Sequence, residues 1–178
     1  MIYLSNDHIY TDGDGVILPS VTQVIDNAGL IKGMEFIDPY YSDRGTRIHD
    51  SIRDKYFLLM DIHPQDDELP FLENFDQWMD ESGFKIIYCE LIGEATVNGV
   101  RYAGKMDLVG TLDGQIGIVD IKNGQAQKWH GAQLNGYRPI ATETWDIQPL
   151  WLGGLYLKNK NKWLKKYPIN NSFKELLL

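Results

Sequence analysis

A single cysteine, Cys89, stands among the 178 residues. No intramolecular disulfide can form, and one chain cannot build a four-thiolate zinc or iron–sulfur site. No run approaches the roughly 18 apolar residues of a membrane-spanning helix. The opening MIYLSNDHIYTDGDG lacks a basic stretch followed by an apolar one, so no secretory leader is expected and a reducing, cytoplasmic compartment fits. Repeats and low-complexity tracts are also missing. Basic residues are scarce in the first half: residues 1–89 carry 17 acidic and 6 basic side chains, residues 90–178 carry 8 and 11, and the net charge is −8. That balance argues against polyanion binding over the whole surface, but it leaves room for a basic face on the second half. What is present is ordinary for a folded protein, 43% hydrophobic and 24% charged residues, in a chain long enough for one domain with its own core.

Ser20, behind Pro19, caps a short helix over 20–25. Ile48, Ile52, Tyr56 and Leu59 recur at spacings of three and four, which predicts a helix over 43–60 with one buried stripe. Pro70 opens another helix, with Phe71, Phe75, Trp78 and Met79 as its apolar face and Gly83 as its stop. Lys85–Val97 and Val100–Leu112 are alternating, β-branched segments joined by Asn98-Gly99, the strongest short hairpin signal. Asp113-Gly114 leads into a third strand, Gln115–Lys122. Helical spacing returns over 126–143, where Pro139 is expected to bend or end the helix early. Strands follow at 150–157 and 163–169, and 173–178 reads as a short amphipathic helix. The order α-β-β-β-α-β predicts a mixed α+β (α/β) domain around one sheet flanked by helices, with residues 1–40 as an N-terminal extension.

Charges inside apolar strands are costly unless paired or bound to a cation. Asp107 falls within the second strand, and Asp120 and Lys122 fall near the end of the third. Residues two apart share a face, so Asp120 and Lys122 project together while Ile121 points into the opposite layer. A two-residue turn at Asn98-Gly99 pairs Val97 with Val100, which puts Glu90 directly opposite Asp107 and Glu94 opposite Ala103. Like charges so placed repel, and a metal between them removes the penalty. Two carboxylates beside a lysine can hold a hard divalent ion and position a water; a solvated cross-strand salt bridge would use the same residues. Lys158, Lys160, Lys162, Lys165 and Lys166, interleaved with Trp163 and Tyr167, form a basic cluster suited to phosphates and stacked bases, or to guarding an edge strand. His8, His63 and His130 have no supporting pattern.

The element order, with Asp107 on the second strand and Asp120-x-Lys122 on the third, resembles the core of the PD-(D/E)XK nuclease superfamily, whose fold is restriction-endonuclease-like. Shorter matches resemble its RecB-like exonuclease branch: Pro19-Ser20-Val21-Thr22 near the start, Arg44-Gly45-Thr46-Arg47-Ile48-His49 for the Gly-Thr-x-x-His helix, Ala103-Gly104-Lys105-Met106-Asp107 for the Ala-Gly-x-x-Asp strand, and Gln133-x-x-x-Tyr137. Asn123 stands where threonine is common, and the four cysteines of the iron–sulfur relatives are missing.

The resemblance implies a small, stand-alone, metal-dependent DNA nuclease of the phage or bacterial kind, acting as an exonuclease with Mg²⁺ or Mn²⁺. It implies Asp107, Asp120, the Ile121 carbonyl and His49 as metal ligands, joined by Glu90 on the hairpin register. Lys122 would orient or deprotonate the attacking water, Gln133 and Tyr137 would face the metal site, and Arg44 and the lysine cluster would contact nucleic acid. Single- or double-stranded DNA is the implied partner, with a recombination or replication protein as companion. The alternative is a catalytically inactive, nucleic-acid-binding relative of the same fold.

Overall fold

The computed structural model describes residues 1–5, 7–31, 38–158 and 163–178. Three two-residue strands, β1 (Tyr3–Leu4), β2 (Tyr10–Thr11) and β3 (Ile17–Leu18), form a small antiparallel sheet at the start. It is not a detached extension: Tyr10 and Leu18 pack on Ala103, whose N–H donates to Pro19 O at 2.9 Å.

α1 (Val21–Asn27) starts with a capping box, in which the Ser20 hydroxyl accepts the Gln23 N–H at 3.0 Å and the Gln23 side chain accepts the Ser20 N–H at 2.8 Å. α2 (Pro39–Ile52) begins earlier than expected because Asp38 accepts the Tyr40 N–H at 3.0 Å and Pro39 suits a first helical turn. It also ends earlier than 60. After Ile52 the backbone widens into a π-helical turn, Arg53–Phe57, and Leu59 is left-handed at φ 55°. α3 (Leu69–Ser82) stops at Gly83, left-handed at φ 67°.

The central sheet begins as the predicted meander of β4 (Lys85–Val97), β5 (Val100–Leu112) and β6 (Gln115–Lys122). At both turns, Asn98-Gly99 and Asp113-Gly114, every residue has φ between 50° and 79°, as type I′ geometry requires. α4 (His130–Trp145) then crosses to β7 (Trp151–Tyr156), which makes β6 and β7 parallel, and β8 (Leu164–Tyr167) returns antiparallel. The order across the sheet is β4-β5-β6-β7-β8. The chain ends in a 3₁₀ turn, Lys174–Leu177. The core order is therefore the expected α-β-β-β-α-β.

α4 runs through Pro139, against expectation. Its last turn is tied to the edge strand: Thr144 Oγ1 donates to Glu94 O at 2.7 Å, Trp145 Nε1 donates to Ile92 O at 3.0 Å, and the Glu143 carboxylate accepts the Thr96 N–H at 2.9 Å. These bonds, with the burial of Ile140 and Ala141, offset the hydrogen bond that proline cannot donate. They also occupy backbone groups that an edge strand would otherwise leave open.

One face of the sheet packs on α1, α4 and the 3₁₀ turn through Val109, Ile118, Ile140 and Phe173, and the other packs on α2 and α3 through Leu108, Val119, Ile48 and Phe75. Among the described residues, no helix is long and apolar enough to cross a membrane.

Candidate active site

The register read from the hairpin turn holds through the site. Leu91 pairs with Met106 and Cys89 with Leu108, so Glu90 lies opposite Asp107, and the ladder slips only farther on, at Ile87. The regular alternation of faces does not hold. Leu91 and Met106 join the α4-side core, whereas Leu108 joins the α2-side core with Cys89 packed against it. The strand pair therefore turns over at Glu90 and Asp107, and Glu90 is left-handed at φ 55°. A non-glycine residue held there costs roughly 1–3 kcal/mol and persists only where its surroundings impose it.

Between β5 and β6 the ladder stops at Leu108 and Val119. Asp107 and Asp120 come next in register. With the strands no longer paired there, the Asp107 carboxylate takes the place of a backbone acceptor: its Oδ2 accepts the Ile121 N–H at 2.7 Å. The N–H and C=O of a strand residue lie on the same edge, so the Ile121 carbonyl faces this side as well.

α2 supplies His49, beside the buried Ile48. His49 Nδ1 is 3.4 Å from Asp107 Oδ1 and 3.8 Å from Glu90 Oε1, and one ligand atom from each of His49, Glu90 and Asp107 lies within 4.8 Å of the others. Asp120 is outside this close group but lines the same cavity, of about 260 Å³, together with His49, Asp107, Ile121, Lys122, Gln133 and Tyr137. Lys122 Nζ lies 2.6 Å from Asp120 Oδ2. That ion pair is the one partner of this buried oxygen among the described residues. Lys122 Nζ does donate to Gln133 Oε1 at 2.9 Å, and Gln133 Nε2 donates to Tyr137 Oη at 3.0 Å. The four-residue spacing of Gln133 and Tyr137 on α4 thus produces one connected chain, Asp120–Lys122–Gln133–Tyr137.

The electrostatics follow from burial and these contacts. Burial, only partly offset by the Lys122 ammonium, and the charge of Asp107 push Asp120 up to about 6. Burial would raise Asp107 too, but His49, Lys122 and the Ile121 N–H outweigh it and hold that carboxyl below its usual range. Burial would lower His49, and Asp107 and Asp120 instead keep it above the ordinary histidine value. Two carboxylates and an imidazole within one ion's reach, with the lysine-paired carboxylate of Asp120 in the adjoining cavity wall, form a donor set that a divalent cation such as Mg²⁺ or Mn²⁺ could use.

Other expected residues lie elsewhere. Arg44 is not in the cavity wall. Its guanidinium carbon sits 4.8 Å from the centre of the Phe71 ring, 5.2 Å from Tyr41 and 5.6 Å from Tyr40, and its Nε has no hydrogen-bond partner among the described residues. Lys160 and Lys162 lie outside the described residues. Lys158, Lys165 and Lys166 are exposed, but Lys165 and Lys166 adjoin on β8 and point to opposite faces, over Tyr167 and Trp151 respectively. Trp163 is buried in the α2-side core, so it offers no face for stacking. His130 is a buried structural group. Its Nδ1 is 2.7 Å from Tyr156 Oη, and burial together with Lys122 and Lys165 lowers it to about 3.

Four cavity-wall residues were not expected there from the sequence: His8, Tyr10, Asp50 and Lys105. Lys105 had a visible signal, its two-residue spacing from Asp107. His8 and Tyr10 had none, because only the docking of the N-terminal sheet on Ala103 brings them near. No protein-family model matches the chain, and no curated protein matches it significantly.

Proposed function

We propose that this chain is a metal-dependent nuclease of the PD-(D/E)XK type, from the RecB-like branch, that hydrolyses phosphodiester bonds in DNA, acting as an exonuclease. The observation that carries this reading is the convergence of His49, Glu90 and Asp107 within 4.8 Å, with His49 and Asp107 lining one cavity together with Asp120 and Lys122. The Gln133–Tyr137 pair beside Lys122 supports it.

A divalent cation held by His49, Glu90, Asp107 and Asp120 would supply Lewis-acid polarisation of the phosphoryl group and a more acidic water. The chain's own residues do the rest. In the hydrolysis a water oxygen attacks phosphorus in line and gives up a proton to solvent, the bond to the leaving oxygen breaks, and that oxygen takes up a proton from solvent. Lys122, held from one side by Asp120 and from the other by Gln133, keeps an ammonium at the cavity wall. There it orients the attacking water and offsets the charge that builds on the phosphoryl oxygens. Gln133 positions Lys122, and Tyr137 positions Gln133. Arg44 and Lys158 would contribute phosphate contacts away from the reacting atoms; Lys165 and Lys166, on opposite faces of β8, would not both do so.

The test is an assay on end-labelled single- and double-stranded DNA with Mg²⁺, Mn²⁺ or EDTA, resolved by product length. Metal-dependent release of mono- or short oligonucleotides from the labelled strand is expected. Intact substrate under every condition, alongside retained DNA binding, would favour the inactive, binding-only alternative.

A further inference from the structure

Without an ion, each carboxylate of the site faces a basic side chain of the chain itself. Asp107 is matched by His49 at 3.4 Å, Asp120 by Lys122 at 2.6 Å, and Glu90 by Lys105, whose Nζ is in direct contact with Glu90 Oε2. The two lysines are held differently. Lys122 has Gln133 as well as Asp120, so it stays in place if one partner is taken. Lys105 has Glu90 alone among the described residues. It pairs with Ile92 across the β4–β5 ladder, so Glu90 is its diagonal neighbour and the contact is made by the flexible end of the side chain. Lys105 is also partly open to solvent, its side chain 28% exposed against 13% for Glu90, and it lines the cavity. A singly partnered, solvent-accessible ammonium on a largely buried carboxylate can be displaced at modest cost.

We propose that Lys105 is the internal counter-cation of Glu90. It keeps that carboxylate compensated while the site lacks an ion, competes with a divalent ion for it, and is released towards the cavity when the ion binds. This rests on the reading that His49, Glu90 and Asp107 hold a metal, and it assigns Lys105 a positioning role. The physical reason lies in the alternative. Three buried or half-buried carboxylates with too few cations would repel one another and weaken the metal-free fold, so the site accepts a lower metal affinity in exchange for a folded empty state.

The test is a double-mutant cycle read by calorimetric titration of metal-free protein with MnCl₂ alone at pH 8. Lys105→Gln should bind Mn²⁺ at least about threefold more tightly than the unaltered chain, the scale of one partly exposed ion pair. Lys105→Arg, which preserves the pair, should stay within about twofold. In a Glu90→Gln background the Lys105→Gln change should alter affinity by less than about twofold, because the pair it relieves is already absent. A purely structural lysine would give the opposite sign, a loosened site and weaker binding. If Lys105→Gln fails to fold, Lys105→Met carries the same cycle. Equal or weaker Mn²⁺ binding by the lysine variant overturns the proposal, as does the same gain in both backgrounds. Tight, unaltered Mn²⁺ binding therefore sinks this inference alone, whereas no saturable binding in the unaltered chain sinks the metal reading with it.

Discussion

Replacing Asp120 by asparagine isolates what a buried carboxylate costs the metal-free protein. Asp120 is 3% exposed, and its pKa rises from 3.8 to about 6. At 1.36 kcal/mol per pH unit, that rise corresponds to about 3 kcal/mol disfavouring the ionised side chain in the folded state. Because the folded value lies above the unfolded one, the stabilisation belongs to the protonated form. It is fully present below about pH 4, is lost as the pH rises through about 6, and leaves the whole penalty in force at pH 8. Asparagine cannot ionise, so Asp120→Asn removes the penalty. It also deprives Lys122 of one of its two partners, which takes back part of the gain. The expected net effect at pH 8 in EDTA is a stabilisation of about 1–3 kcal/mol, or roughly 3–10 °C in Tm for a chain of this size. Urea unfolding at pH 8, 6 and 4.5 measures it, and the gain should shrink at each step down. A variant no more stable than the parent at pH 8, or a gain that does not depend on pH, would refute the reasoning.

His49→Ala removes the softest donor, so the excess thermal stabilisation by Mn²⁺ over Mg²⁺ should narrow in paired melts. Lys122→Ala should lower cleavage by at least about a hundredfold. Its DNA dissociation constant should stay within a few-fold in fluorescence anisotropy, because one ammonium is a small part of the phosphate term. Mn²⁺ affinity should fall as the pH drops through about 6, where Asp120 takes up a proton and His49, shifted above its ordinary value, is already charged; calorimetry at pH 5.5, 6.5 and 8 checks this. Ser20→Ala breaks the capping box of α1 and should cost about 1 kcal/mol in urea unfolding.

Much of the site was legible because local chemistry controls it. Asn98-Gly99 adopts one tight turn, that turn sets the register, and the register puts Glu90 opposite Asp107. The four-residue spacing of Gln133 and Tyr137 made their shared face certain once α4 formed. The start of α2 was written in Asp38-Pro39 but lay ahead of the apolar stripe used to find the helix. Three features were tertiary and left no local mark. α4 passes Pro139 because its end is bonded to β4, far away in sequence. The lysines of the last hairpin read as one cluster, yet β8 divides Lys165 from Lys166 by face. The like-charge repulsion expected between Glu90 and Asp107 is relieved by Lys105 and His49, and that depends on strands turning over at a left-handed glutamate, which alternation does not forecast.

Crystals grown without metal, soaked in MnCl₂ and measured at the manganese absorption edge, locate the ion directly. One strong anomalous peak is predicted within about 2.5 Å of His49, Glu90 and Asp107, with Asp120 turned towards it and Lys105 withdrawn from Glu90. An ion-free cavity at millimolar Mn²⁺, or a peak held by other residues while this group keeps its lysine and histidine pairs, would contradict a metal-dependent nuclease built on these side chains.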